Sequence, residues 1–222
     1  MIRLHHTPQT RSMRVLWLLL ELGVPFEVVP RAFDKSLRAP DYLSLSPAGR
    51  VPALEIEGER MFESGAIIEY LCERFSPRHL GRPPGNPERM AWLVWLHFAE
   101  TISQHAAALT QQHVALRADH MRSPTVMQLE AARLGKCYGA LEARLSPPVE
   151  DRDHLLTGGF SAADIAVGQA VYMARFFAPT AGFPALEAWY GRITARPAFG
   201  ASLPAPGEGI YARDFYPAWE GA

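Results

Sequence analysis

The chain is short of cysteine, of net charge and of long apolar runs, and each shortage removes a class of protein. Only Cys72 and Cys137 occur among 222 residues. Neither belongs to a C-x-x-C pair or a metal-ligand cluster, so a disulfide framework is not expected and a reducing, cytoplasmic setting is. Lys and Arg number 22 against 23 Asp and Glu, which leaves no basic excess for nucleic acid and no acidic tail. The first apolar run, Val15 to Leu20, is cut by Glu21; it is too short to span a bilayer and badly placed for a secretory signal. No P-loop, G-x-S-x-G or G-x-G-x-x-G stretch occurs, so nucleotide-binding and serine-hydrolase readings lack support. What remains is a soluble chain of ordinary composition, 48% apolar and 20% charged, long enough for one large domain or two small ones.

The first eighty residues interleave strand and helix patterns. Ile2 to His6 reads as a strand, Thr7 to Thr10 as a loop, and Arg11 to Leu22 as a helix stopped by Gly23 and Pro25. Phe26 to Val29 reads as the second strand. Residues 31 to 48 are irregular, with one helical turn near Pro40 to Leu45. Val51 to Ile56 and Arg60 to Phe62 form a hairpin about Glu57-Gly58, and Ser64 caps a helix to about Phe75. This order predicts a small α/β layer fold. Pro77, Gly81, Pro83, Pro84, Gly85 and Pro87 then break the pattern. Beyond them the spacing predicts helices only: from Asn86-Pro87-Glu88 to about Leu116, from Ser123-Pro124 to Leu145, from Ser161 to before Pro179, and from Pro184 to Ala195. The expected organisation is an α/β domain over 1–80, a linker over 81–87 and an all-α domain over 88–222.

Five blocks, in order, resemble soluble glutathione transferases: T-P-Q-T-R-S-M-R-V-L-W-L-L-L-E-L-G-V-P-F-E (Thr7 to Glu27), S-P-A-G-R-V-P-A-L (Ser46 to Leu54), F-E-S-G-A-I-I-E-Y-L (Phe62 to Leu71), F-S-A-A-D-I-A (Phe160 to Ala166) and A-W-Y-G-R-I-T-A-R-P-A-F (Ala188 to Phe199). The resemblance spans nearly the whole chain. It implies a thioredoxin-like N-terminal domain, a helical C-terminal domain, glutathione as co-substrate, no metal and a homodimer. It also implies a serine/threonine-type, bacterial-like member with a detoxifying role.

The residues themselves make the implied site chemically reasonable. Ser64 opens a helix after a strand, where free N–H groups and the helix dipole favour an anion. The resemblance makes Ser64 the partner of the γ-glutamyl carboxylate and Glu63 a polar contact on the same turn, while simple helix capping is the competing explanation. Pro52, inside an apparent strand, reads as an edge or bulge position. The resemblance implies instead a cis bond after Val51, turning that residue's backbone toward the cysteinyl part of the ligand. Arg50 and, behind it, Lys35 are candidates for the glycine carboxylate or are solvated loop residues.

A thiol of pKa near 8.5 is only about 3% ionised at neutral pH, so a transferase must stabilise the thiolate. No Tyr stands in the first strand and no Cys precedes Cys72. Aligning Arg14-Val15-Leu16 with the family's first helix sets Thr10 where a serine is usual, with Ser12 as the alternative and capping as the competing role for both. For the electrophile, the resemblance points to Trp95, Phe98 and Ile102 and to Tyr172 and Phe176, although aromatic stripes at helical spacing commonly form core. The tail residues Tyr211, Phe215, Tyr216 and Trp219 either fold over the site or pack on the surface. Ser161-x-x-Asp164 reads as a structural capping box. His97, His105 and His113 lie too far apart along one helix to share a metal. His5 and His6 face opposite sides of a strand. A glutathione-dependent isomerase, peroxidase or dehalogenase, or a non-catalytic binding protein on the same scaffold, remain the alternatives to a conjugating transferase.

Overall fold

The computed structural model describes residues 1–146 and 152–219. They fall into two compact units: Met1–Arg89 with Ala195–Ile210, and Met90–Thr194 with the chain from Tyr211 onward.

The first unit is built on a four-stranded mixed sheet in the order β2-β1-β3-β4. Strand β1 (Ile2–His6) pairs in parallel with β2 (Phe26–Pro30) and antiparallel with β3 (Ala53–Ile56), which pairs antiparallel with β4 (Glu59–Phe62). The β3–β4 hairpin turns on Glu57 and Gly58, both at positive φ, as a two-residue turn matched to strand twist requires. The connection between the parallel strands β1 and β2 is α1 (Ser12–Leu22), buried from Ser12 through Leu19. Gly23 ends it in the left-handed region, its N–H reaching Leu19 and Leu20 carbonyls at 3.1 and 3.2 Å. A 3-10 turn over Lys35–Arg38 and the short α2 (Pro40–Leu43) follow β2, and α3 (Ser64–Arg74) follows β4.

One helix of this unit was not expected from sequence. The segment α8 (Pro197–Ser202) packs on α1, with Phe199 edge-on to Trp17 at 4.9 Å. Just before it, Arg196 grips Glu21 in a two-pronged ion pair, both N···O distances 2.7 Å, the planar fork geometry that gives such pairs their strength.

The second unit is helical: α4 (Arg89–Thr110), α5 (Pro124–Leu145), α6 (Ala162–Ala174) and α7 (Pro184–Thr194). Ser123 caps α5 by accepting from Val126 N–H, and Glu142 on α5 accepts from Ala185 and Leu186 N–H at the start of α7. Ser161 and Asp164 form a reciprocal capping box. Asp164, fully buried, also accepts from Leu155 N–H and the Trp189 indole, both at 2.9 Å, so its charge is enclosed by donors.

Two boundaries depart from the sequence reading, and one holds with a change of helix type. The Asn86 side chain accepts from Glu88 N–H as a cap does, but α4 becomes regular only at Arg89. At its far end the helix reaches Leu116 as expected, but its last turn, Gln111–Ala115, is π-helical. Pro52 lies just before β3 and not inside it, so it removes no donor from the ladder.

Candidate active site

Register collects the candidate residues at one end of the first unit's sheet. His6 at the end of β1 pairs with Pro30 at the end of β2, His5 with Ala53 at the start of β3, and Ala53 with Phe62 at the end of β4. The loop after β1 (Thr10, Ser12), the segment after β2 (Lys35), the approach to β3 (Arg50, Val51, Pro52) and the turn after β4 (Glu63, Ser64) therefore all leave the sheet at that end. The Val51–Pro52 peptide is cis.

The loop after β1 is tied inward by hydroxyls. Ser12 Oγ accepts from Thr7 N–H at 3.1 Å and stands 3.0 Å from the Thr7 carbonyl, 2.8 Å from Thr10 Oγ1 and 2.8 Å from His6 Nδ1. Ser12 is fully buried, whereas Thr10 is half-buried at the mouth of the loop and donates to the Thr7 carbonyl at 2.7 Å. Gln9, buried at φ +52°, holds a left-handed conformation unusual outside glycine. Burial pushes the His6 imidazole down to about 4, because a desolvated ring resists charging. His6 is therefore neutral at physiological pH.

The turn after β4 also differs from a simple cap. Glu63, exposed, occupies the N-cap position at φ +70°, and Ser64 is the first helical residue. Ser64 is buried, and its Oγ lies 3.5 Å from the guanidinium of Arg14, itself 1% exposed on α1. With Arg14 on the donor side, the Ser64 proton and the N-terminal amides of α3 remain to serve an anion. Neither Arg14 nor His6 was singled out from sequence. A lone charge within the apolar run Met13 to Leu19 was the available signal for Arg14.

A second network braces the opposite face of β1. Arg31 Nε donates to His5 Nδ1 at 3.1 Å, and His5 Nε2 lies 2.9 Å from Glu55 Oε1. Since arginine only donates, His5 here carries its proton on Nε2 and gives it to Glu55. That hydrogen bond is the main cause holding the Glu55 carboxyl below its ordinary range. Arg31 lies 5.0 Å over the Tyr42 ring, and the buried Tyr42 donates to the Arg50 carbonyl at 2.9 Å, directly ahead of Val51-Pro52. Burial pushes the Tyr42 phenol up to about 12, keeping it a donor. The Arg50 and Lys35 side chains are exposed.

In the second unit, Ile102 is fully buried in core, while Trp95 and Phe98 are half-buried and meet edge-on at 5.2 Å, with Arg144 lying 5.7 Å over Trp95. Tyr172 meets Phe176 at 5.7 Å, and Phe176 stacks on Tyr211 at 4.4 Å. Tyr211 bonds Thr110 at 2.8 Å, and Tyr216 packs on Phe177 and His113. Of the tail aromatics, Phe215 and Trp219 are exposed. His97 is exposed and His105 bonds Glu130 at 2.6 Å. Among the described residues no group of three or more His, Cys, Asp or Glu could hold a metal ion, and no helix is long and apolar enough to cross a membrane.

Comparison with known proteins agrees with this architecture. The family model for the glutathione S-transferase N-terminal domain matches residues 1–73, and that for the C-terminal domain matches residues 106–197. Glutathione S-transferase 3 of Zea mays is 30% identical over 220 residues, covering 92% of this chain and 96% of that one. Among solved structures, glutathione transferase F7 of Populus trichocarpa is 28% identical with a TM-score of 0.77, covering 91% of this chain and 97% of that one. The glutathione transferase URE2P8 of Phanerochaete chrysosporium, solved with oxidized glutathione, has a TM-score of 0.81 over 90% of this chain and 92% of that one; at 22% identity it shows the fold alone. With a thioredoxin-like unit, a helical unit and a relative aligned over almost its whole length, the chain belongs to the glutathione S-transferase family.

Proposed function

We propose that the protein binds glutathione at the sheet end described above and transfers its thiolate to an electrophilic, apolar small molecule. Thr10 donates its hydroxyl proton to the thiolate at the start of α1. Lowering a thiol pKa by two units needs about 2.7 kcal/mol, which one hydrogen bond to a charged sulfur and the helix dipole together supply. The ligand's thiol proton passes to solvent, sulfur forms a bond to the electrophilic carbon, and the leaving group departs with its electron pair. Ser64 and the amides of α3 take the γ-glutamyl carboxylate, with Glu63 toward the amine. The Val51 backbone takes the cysteinyl amide, and Arg50 and Lys35 the glycine carboxylate. Trp95, Phe98, Tyr172 and Phe176 are proposed for the electrophile, whereas Ile102, fully buried in the core, does not face it.

The observation that carries this reading is that four loops with these chemistries leave one end of one sheet, with a half-buried hydroxyl at the head of α1 among them. A cytoplasmic, homodimeric, detoxifying enzyme of the serine/threonine type follows from the same reading.

Retention on glutathione-agarose together with conjugation of chlorodinitrobenzene tests it. Both are expected. Retention without conjugation would assign an isomerase, peroxidase or dehalogenase role, and no retention would leave a scaffold.

A further inference from the structure

We infer that Ser12 is the positioning residue of the catalytic hydroxyl: it takes over the Thr7 carbonyl when Thr10 turns its proton toward the thiolate. The inference rests on the proposed role of Thr10. It follows from the hydroxyl protons that the loop after β1 holds against the Thr7 carbonyl.

Thr10 and Ser12 carry one hydroxyl proton each. The Thr7 carbonyl is within reach of both, at 2.7 Å from Thr10 Oγ1 and 3.0 Å from Ser12 Oγ. At rest Thr10 holds that carbonyl, the Ser12 proton goes to Thr10 Oγ1, and Ser12 in turn accepts from His6 Nδ1, each 2.8 Å away. To serve a sulfur, Thr10 must release the carbonyl. Thr7 is 2% exposed, so losing this donor carries a desolvation penalty of the same order as the gain from one hydroxyl–thiolate bond.

Ser12 removes the conflict. Its proton swings to the Thr7 carbonyl, while its lone pairs accept Thr7 N–H at 3.1 Å and the Nδ1 proton of His6. The neutral imidazole keeps its proton on Nδ1 and gives it to Ser12 Oγ in both states. The resting chain runs His6 to Ser12 to Thr10 to Thr7. Each of these donors is used before and after the switch. Because Ser12 is fully buried, it reaches the sulfur only through Thr10.

A double-mutant cycle on the pKa of bound glutathione, read from the ultraviolet absorbance of its thiolate, tests this. Ser12→Ala in the wild-type background is expected to raise that pKa by about one unit, from near 6.5 to near 7.5, roughly a three-fold loss of thiolate at pH 7. In a Thr10→Val background the same change should move it by less than about 0.2 units, because there is no Thr10 proton left to position. A further rise on top of Thr10→Val would overturn the inference, since Ser12 would then act on sulfur independently. A silent Ser12→Ala in wild type would overturn it too. If Thr10→Val is itself silent while Ser12→Ala is severe, the role proposed for Thr10 fails instead. Thermal melts accompany each variant. Should Ser12→Ala not fold, Ser12→Cys keeps the shape with a weaker donor, and the same dependence on Thr10 is expected.

Discussion

The Ser12 hydroxyl lies 2.8 Å from the Thr10 hydroxyl, and only Thr10 reaches the surface. The pair divides two tasks that the sequence alone left tangled. Ser12 closes the loop after β1 upon Thr7 and His6, and Thr10 stands half-buried just ahead of α1 with its hydroxyl on the Thr7 carbonyl. Threonine's β-branch costs rotamer freedom, yet here the side chain already has a defined partner from which it can turn.

Ser64→Ala should weaken glutathione binding more than turnover. The lost contact is to a charged carboxylate present in ground and transition states alike, worth about 1.5–3 kcal/mol. KM for glutathione is therefore expected to rise roughly ten- to hundred-fold with little change in kcat. Arg14→Met, which removes the guanidinium 3.5 Å behind Ser64, should move KM in the same direction. Steady-state kinetics with glutathione as the varied substrate checks both.

Stability should fall as pH drops from about 6.5 toward 4. The folded-state pKa of His6 lies near 4 against 6.5 for the free side chain. Between those values the unfolded chain binds more protons, so unfolding free energy rises with pH and is fully regained above 6.5. The difference amounts to roughly 3 kcal/mol at most. Glu55, whose carboxyl is lowered mainly by the His5 hydrogen bond, adds a loss of the same sign at more acid pH. Urea midpoints taken across this range should show the His6→Asn protein flatter than wild type between pH 6.5 and 4; equal slopes would contradict the assignment.

Tyr42→Phe should loosen the approach to β3. It removes the donor to the Arg50 carbonyl and leaves the ring under Arg31. A loss of about 1 kcal/mol in stability is expected, accompanied by a higher KM for glutathione through the adjoining Val51. An unchanged KM beside lowered stability would restrict Tyr42 to a structural part.

Asp164→Ala should be far more damaging. Four donors converge on this carboxylate: Ser161 N–H and Oγ, Leu155 N–H and the Trp189 indole. Stranding them in the core is expected to cost at least 3 kcal/mol, read as a large drop in melting temperature or as insoluble protein.

The contrast between Asp164 and Arg14 explains what could be read from sequence. Asp164 belongs to a local pattern, Ser161-x-x-Asp164, whose physics is complete within four residues. The strands, the Glu57-Gly58 turn, Gly23 and the Ser123-Pro124 start are local in the same sense, and the structure contains each of them. Arg14, His6 and Tyr42 act through partners fifty, six and eight residues away, and only the folded sheet brings those partners within reach. The packing of α8 on α1 is longer-range still, since Arg196 and Glu21 are 175 positions apart. Ser64 looked like a cap because serines at helix starts usually are. The positive φ of Glu63 moves it one position into the helix and turns its hydroxyl toward Arg14.

The most direct test of the central claim is the pKa of glutathione's thiol when bound, in wild type and in Thr10→Val. Wild type is expected to bring it about two units below the free value near 8.5, and Thr10→Val to return at least one of them, with conjugation falling ten-fold or more. A bound thiol that already titrates near 8.5 in wild type, or one unmoved by Thr10→Val, would contradict the claim.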